Sequence, residues 1–450
     1  MSDINGAGNL MQDERESSDV SFDIFSAPQI EVDMVSSKTI KVKPIAGGNT
    51  SQGPVEFLVS SAATDYTLLP FTRLEGSLKI TKQDGTNLPA GADLSVVNYL
   101  PCSLWKQVEC SINNTEVVDQ SSGSFAFKSY LEALLCYGSE AKNTHLKTSF
   151  YYKDTTGFED ANTKTVNNGK TAYMTRQKII EESSIVNFSS QIHVDFFNTK
   201  RLLPANCHIR LRFIRNDDSF SLIAKTGEYK IEIIPDSLSL SLRKITPSPR
   251  VLSKHEQLFA SGRPAIFPFQ QAKITTHLAS AGTQSINFNV CTGPLPTQCF
   301  VMMVDHDAYS GAMEKNPFHF KHNGLSNFRF LVNSESYPAE YFKPIFEKNI
   351  YAREYTNLMN CLSIGSKNLG CDMDPESFAS GSFILSYDSC PEMCSGSRTH
   401  LPKTGTLEIE ADFKTALDKP ITILVYSVYN RFLEISGKEK NCVLKYLHDL

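Results

Sequence analysis

Residues 203–213 read Leu203-Pro204-Ala205-Asn206-Cys207-His208-Ile209-Arg210-Leu211-Arg212-Phe213. From Ile209 onward, apolar and basic side chains alternate one for one. A pleated strand sends alternate side chains to opposite faces, so Ile209, Leu211 and Phe213 belong to a buried face and Arg210 and Arg212 to a wet one. That is the pattern of an antiparallel sheet with one solvated face. Working outward, the same period recurs at Ile40/Val42, Leu78/Ile80, Val108/Cys110/Ile112, Ile192/Val194/Phe196 and Leu238/Leu240/Leu242. It continues at Ile274/Thr276/Leu278, Ile286/Phe288/Val290 and Leu407/Ile409/Ala411/Phe413. Turn clusters such as Ala46-Gly47-Gly48-Asn49 and Gln83-Asp84-Gly85 punctuate these runs. Twenty-eight Phe and 17 Tyr beside a single Trp suit pleated sheets, and the fold class is all-β.

One segment breaks the period. Phe127, Tyr130, Leu131, Leu134 and Leu135 follow helical spacing and predict a helix over about 124–138 with one apolar stripe. Ser124 is placed to cap its start and Gly138 to supply a left-handed residue past its end. The polar run from Ser139 to Gln177 then reads as a long exposed loop. Near mid-chain, Thr246-Pro247-Ser248-Pro249 suits a semi-rigid linker, since proline cannot continue a central strand. A repeat supports duplication: Leu203-Pro204 with Ile209 and Leu211 recurs, at one constant offset, as Leu401-Pro402 with Leu407 and Ile409. The expected organisation is an N-terminal arm (1–30), a first β domain (31–246), a linker (247–262) and a second β domain with a C-terminal tail (263–450).

The 450 residues are 41% hydrophobic and 21% charged, which excludes a mainly disordered chain. Lys plus Arg total 44 against 49 Asp plus Glu, a net charge of −5, so nothing global favours nucleic acid. The polar, acidic stretch Met1–Asp23 reads as a flexible arm and carries no secretory signal. The longest apolar run, Ile421–Tyr429, is too short to span a bilayer. Eleven cysteines, an odd number, read as thiols of an intracellular protein. In that setting the sequons at Asn49, Asn113 and Asn187 stay unmodified.

Few patterns suggest chemistry. Asp305-His306-Asp307 with His319 and His322 is the best metal candidate, and its rival reading is solvated loop polars at the end of a strand. Cys390 and Cys394, with Cys361, Cys371 and His400, supply soft ligands but lack the two tight pairs of a structural zinc site. Gly169-Lys170-Thr171 ends like a phosphate loop, yet Lys164 stands where glycine is required. Arg210, Arg212 and Arg215 form a basic stripe that could meet phosphate or an acidic surface, or simply be the wet face of a strand. No catalytic, cofactor or metal residue is assigned.

Two passages carry a more specific signal. The first is Asn98-Tyr99-Leu100-Pro101-Cys102-Ser103-Leu104-Trp105-Lys106-Gln107-Val108-Glu109, continued by Tyr130-Leu131-Glu132-Ala133-Leu134-Leu135-Cys136-Tyr137-Gly138. The second is Leu295-Pro296, Phe300–Val304, Asp305, Ala308-Tyr309 and Gly311, then Lys315-Asn316-Pro317-Phe318-His319-Phe320 and His322. Phe346-Glu347-Lys348 and Tyr351–Tyr355 follow in order. Together they resemble the major capsid proteins of Polinton (Maverick) elements and adintoviruses, from about Lys38 to Ile435. The chain departs with Trp105 where that family usually has Phe, and with Cys136 where a small polar residue is common.

The resemblance implies two tandem eight-stranded antiparallel jelly rolls, a hexon-like double jelly roll. It implies trimers forming pseudo-hexagonal capsomers of an icosahedral shell around double-stranded DNA, with a single-jelly-roll penton protein at the vertices. It implies a virion protein assembled inside the cell, non-enzymatic, without a membrane span or sequence-specific nucleic-acid binding. Residues 139–177 would decorate the outer tower. Its signature positions here are Pro101, Leu104, Trp105, Val108, Tyr130, Leu131, Leu134, Tyr137, Gly138, Asp305, Asn316, Pro317 and Phe318. The alternatives are a domesticated host copy acting as a binding or assembly module, and a metal-dependent β-sandwich enzyme using Asp305, His306, His319 and His322.

Overall fold

The computed structural model describes residues 32–46, 53–60, 62, 64–118, 123–157, 159–161, 171–390 and 403–446. The arm at 1–30, Gly47–Asn49, Lys164, Gly169-Lys170, Cys394, His400 and Leu401-Pro402 lie outside the described residues.

The alternating runs form strands in two sets. The first comprises β1 (Met34–Val42), β2 (Val55–Val59), β3 (Tyr66–Lys82), β4 (Trp105–Ile112), β5 (Thr115–Glu116), β6 (Val186–Gln191), β7 (Ile209–Arg215) and β8 (Ser239–Pro247). Leu74 of β3 pairs with Leu240 of β8 on one side and Ser190 of β6 on the other, so one sheet runs β1-β8-β3-β6. The facing sheet runs β2-β7-β4-β5. The second set comprises β9 (Ala265–Ala279), β10 (Ser285–Pro294), β11 (Gln298–Asp305), β12 (Leu325–Val332), β13 (Glu335–Phe342), β14 (Ile384–Asp388), β15 (Thr404–Phe413) and β16 (Ile421–Ser436). Its sheets run β9-β16-β11-β14 and β10-β15-β12-β13, the first arrangement with eight added to each label once the extra strands are set aside: Tyr229–Ile233 on β3, Asn441–Tyr446 on β16 and the short pair Leu94–Val96/Leu222–Ala224. These sheet pairings are antiparallel. Ile209 and Leu211 sit on β7, and Leu407 and Ile409 on β15, so the sequence repeat falls on corresponding strands.

A second mark of duplication lies in the turns. Asn113 and Asn114, at φ 45° and 69°, join β4 to β5, and Asn333 and Ser334, at φ 52° and 68°, join β12 to β13. Two consecutive left-handed residues make the tight turn that matches strand twist, and asparagine tolerates that region better than most residues.

Several expectations change on contact with the structure. Helix α1 (Phe125–Cys136) forms where the spacing placed it, but Ser124 makes no side-chain cap hydrogen bond. Gly138 is extended, at φ −80°, rather than left-handed; what selects glycine there is close approach, since a Cβ would lie 3.0 Å from the carbonyl oxygen of Gly370. The helix is buried on nearly every face rather than along one stripe. Ile192, Val194 and Phe196 are buried beyond the end of β6, where the chain tightens into a turn over Asp195–Asn198. In β9, Leu278 is 53% exposed.

The described parts of 139–177 are exposed along much of 139–148, as expected of a loop, but are pinned by buried anchors. Leu146, Tyr151, Ala161, Tyr173 and Arg176 are buried, and α2 (Ala172–Ile179) starts with the Thr171 hydroxyl accepting the Met174 N–H. At mid-chain Pro247 ends β8 and Pro249 begins α3 (Pro249–Ala260), with Ser248 Oγ accepting the Val251 N–H. Proline at a helix start costs no hydrogen bond, so the same prolines that end a strand open a helix.

Two hydrophobic cores result, and each borrows from the other half. Phe127, Tyr130, Leu131 and Leu134 of α1 join the core of the second sandwich. Phe267 and Phe269 of β9, with Leu433 and Ile435 of β16, join the core of the first. Helix α1 is therefore a wedge in the seam between the sandwiches, which is why it is apolar almost all round.

Candidate functional site in the seam between the sandwiches

The seam collects residues from both signature passages. The rings of Tyr130 and Phe318 stack with centroids 4.2 Å apart and planes 6° from parallel. Phe127 meets Phe318 and Phe220 edge-on, at 5.7 and 5.6 Å, and stacks on Tyr309 at 5.5 Å. Asn316, 1% exposed, fixes the approach of Phe318. Its Oδ1 accepts the Phe318 N–H at 3.0 Å, and its side-chain amide donates to Asp154 Oδ2 at 3.1 Å. Asp154 also receives Arg176 Nη2 at 2.7 Å, while Arg176 donates through Nε to the Val96 carbonyl and through Nη1 to that of Tyr152. The chain Arg176–Asp154–Asn316 thus ties the 139–177 excursion to the second sandwich.

The remaining signature positions support this wedge. Pro101 opens a buried turn of helix over Leu100–Ser103, and Leu104, Trp105 and Val108 enter the first core. Trp105 packs against Phe213 at 5.1 Å, and its Nε1 has no hydrogen-bond partner among the described residues. Tyr137 donates its hydroxyl to Gln191 Oε1 at 2.8 Å. Asp305 accepts Lys315 at 2.8 Å and Lys321 at 3.0 Å.

Beside the aromatic stack lies a buried ionic cluster. Lys128 Nζ is 2.6 Å from Glu132 Oε1, 2.8 Å from Asp195 Oδ1 and 2.7 Å from the His193 carbonyl oxygen. His193 Nδ1 lies 2.6 Å from Glu132 Oε2, and its Nε2 is 2.7 Å from the Tyr99 hydroxyl. Both sandwiches share the cluster: Asp195 Oδ2 accepts the Ala272 N–H of β9, and Tyr426 of β16 donates to Glu132. One ammonium between two carboxylates cannot hold both equally low. Burial pushes Asp195 up, whereas for Glu132 the opposing pull of Lys128 and His193 outweighs burial and holds it down. Burial opposes a charge on His193, yet Cys102 and Glu132 beside the ring carry it up to about 9. A buried charge is retained only when paired in this way.

The other candidates are dispersed. His306 bonds Thr422 Oγ1 through Nδ1, while His322 accepts the Gly324 N–H and stacks on Phe346 at 3.7 Å. His319 sits 3.9 Å from both Glu159 and Asp160, two carboxylates in the stretch that read as surface loop. Among the described residues no group of three His, Cys, Asp or Glu side chains could hold a metal ion. Cys361 points at the Tyr387 carbonyl and Cys371 at the Met359 sulfur. Arg212 lies across from Glu56 of β2 and Glu109 of β4 and pairs with both, at 3.4 and 3.3 Å. Arg210 pairs with Glu56 at 2.9 Å and Arg215 with Asp218 at 2.8 Å. Arg210 and Arg212 form a cross-strand charge ladder on a wet face, whereas the Arg215 side chain is nearly buried beside Asp218 of the same chain segment.

Lys128, Glu132, His193 and Asp195 did not stand out in the sequence. Glu132 is four residues from Lys128 on a helix, which reads as an ordinary surface pair. For Lys128 and Glu132 the detectable signal was their position on a helix otherwise largely apolar, while His193 and Asp195 lie outside it, interleaved with the buried Ile192, Val194 and Phe196.

No protein-family model matches the chain. It is 22% identical over 396 residues to an uncharacterized protein of Caenorhabditis elegans, covering 86% of this chain and 91% of that one. Among solved structures, it superposes on the Sputnik virophage structure with a TM-score of 0.60 at 11% identity, over 95% of this chain and 92% of that chain. On the Faustovirus major capsid protein the TM-score is 0.59 at 10% identity, with 92% of each chain covered. At these identities the likeness is one of fold. Together with the repeated strand order, it makes the chain a double jelly roll. Among the described residues no helix is long and apolar enough to cross a membrane.

Proposed function

We propose that this chain is a structural major capsid protein whose trimers are pseudo-hexagonal capsomers of an icosahedral shell around double-stranded DNA. One observation carries the reading. Two sandwiches of identical strand order stand side by side in one chain, locked by a shared wedge, over nearly the full length of solved viral capsid proteins of this fold. A rigid pair of like domains lets three copies approximate sixfold packing while keeping closed threefold contacts. The dispersed candidate chemistry fits a non-enzymatic wall, and the pairing of Arg210, Arg212 and Arg215 with neighbouring acids fits one that does not grip DNA by bulk charge. On this reading the partners are other copies of the chain and a single-jelly-roll penton protein, and the protein resides in the virion after assembly inside the cell.

Within that class, a Polinton or adintovirus origin is supported by the two signature passages and by the relative in a nematode genome, since such elements reside in cellular genomes. The same relative favours a second reading, a host copy kept as a binding or assembly module. Electron microscopy of the purified recombinant chain tests both. Pseudo-hexagonal tiles that assemble into closed shells support the capsid reading. Tiles that never close favour a host copy kept for assembly, and isolated monomers contradict the capsid reading and leave only a host binding module.

A further inference from the structure

Away from the seam, an apolar groove of about 580 Å³ opens between α3, the starts of β1, β3 and β9, and the end of β8. Val251, His255 and Leu258 of α3 form one wall at helical spacing, Tyr66 and Ile245 the floor, and Phe267 the far wall. His255 is held in place, its Nδ1 2.9 Å from the Tyr66 hydroxyl and its ring stacked on that of Tyr66. The groove is therefore a shaped cleft lined by fixed side chains.

The described chain begins at its mouth. The Asp33 carbonyl accepts the N–H of Ser248, the residue that caps α3, at 2.8 Å, and both Asp33 and Met34 line the groove. Everything N-terminal to Asp33 must leave from this point. Residues 18–31 read Ser18-Asp19-Val20-Ser21-Phe22-Asp23-Ile24-Phe25-Ser26-Ala27-Pro28-Gln29-Ile30-Glu31. They hold five large apolar side chains (Val20, Phe22, Ile24, Phe25 and Ile30), three acids and no Lys or Arg. The groove offers an apolar lining with two arginines against one acid: Arg263, Arg201, which also donates to the Ile266 carbonyl, and Asp33 at the mouth. Fourteen residues extended at roughly 3.3 Å each reach well beyond a cleft of this size.

We propose that the groove is the docking site of this chain's own residues 18–31, whose apolar and acidic composition matches its apolar lining and edge arginines. The proposal stands apart from the capsid reading. Binding of a tethered segment is intramolecular, so modest contacts suffice.

Hydrogen–deuterium exchange of the full-length protein tests it. Amides of residues 22–31 are expected to exchange at least about tenfold more slowly than an unstructured chain. Leu258→Asp, and separately Arg263→Glu at the exposed edge, should return them to the unstructured rate while the β9–β16 ladder keeps its protection. That ladder reports that either variant is still folded. Free exchange of 22–31 in the unaltered protein overturns the proposal, as does protection that neither variant disturbs. Protection of α3 that fades on dilution while 22–31 exchange freely assigns the groove to a second copy, and also overturns it.

Discussion

Tyr130, on a helix contributed by the first half, and Phe318, in the second, lie ring on ring at 4.2 Å with planes 6° apart, and both are buried. The contact joins two sequence passages nearly two hundred residues apart, so it reports on the union of the sandwiches rather than on either alone. Phe318→Ala is expected to lower unfolding stability by about 3–5 kcal/mol, and Phe318→Leu by less. A double-mutant cycle with Tyr130→Leu and Phe318→Leu should return a coupling of about 1 kcal/mol. Urea unfolding measures both, and additive effects would show that the stack contributes nothing beyond burial.

Trp105 fills a place in the first core, but its buried Nε1 lacks a hydrogen-bond partner among the described residues. An unsatisfied buried donor costs about 1–3 kcal/mol, which offsets much of the indole's packing advantage. Trp105→Phe should therefore change stability by less than about 1 kcal/mol, against about 3–5 kcal/mol lost in Trp105→Ala. Thermal unfolding followed by circular dichroism separates the two, and a large loss in the Phe variant would mean that the indole nitrogen is bonded.

His193 should make stability fall on the alkaline side. Its pKa is about 9 in the fold against 6.5 for an ordinary histidine, so the folded state retains a proton that the unfolded chain gives up across that window. The contribution is complete below about 6.5 and is lost as the pH rises through 9, on the order of 3 kcal/mol. Urea midpoints measured from pH 6 to 9.5 should fall in the unaltered protein and flatten in His193→Gln. Equal slopes in the two would place the titration elsewhere.

Lys128 is the only cation within ion-pair reach of Asp195 among the described residues, and it also serves Glu132. Lys128→Met leaves two buried carboxylates facing each other and should cost on the order of 3–5 kcal/mol near pH 7. Glu132 keeps His193, but Asp195 without the ammonium binds a proton more tightly folded than unfolded, so the deficit should shrink as the pH falls toward 5. Adding Asp195→Asn to Lys128→Met should recover part of the loss, and a deficit independent of pH would argue for lost packing instead.

The strands were legible because one sheet face is wet: the alternation at Ile209–Phe213 and Leu407–Phe413 survives intact in β7 and β15. The helix at Phe125–Cys136 was legible by spacing, but its role was not, because a stripe on paper cannot reveal a second partner covering the other face. Gly138 was misread for a related reason, since its constraint is the Gly370 carbonyl, far away in the chain. The run after Ser139 looked like a loop because its buried anchors, Tyr151, Tyr173 and Arg176, are amphipathic residues without a period. The equivalence of the Asn113-Asn114 and Asn333-Ser334 turns is present in the sequence, but there Asn113-Asn114-Thr115 reads as a glycosylation signal, which masks the turn.

The central claim is that two like sandwiches in one chain exist to make a threefold tile. Sedimentation of the purified full-length protein, with its mass of 50.1 kDa, tests this most directly. The account predicts a stable trimer of about 150 kDa that persists on dilution, as large apolar subunit contacts require. A stable monomer at micromolar concentration would contradict it.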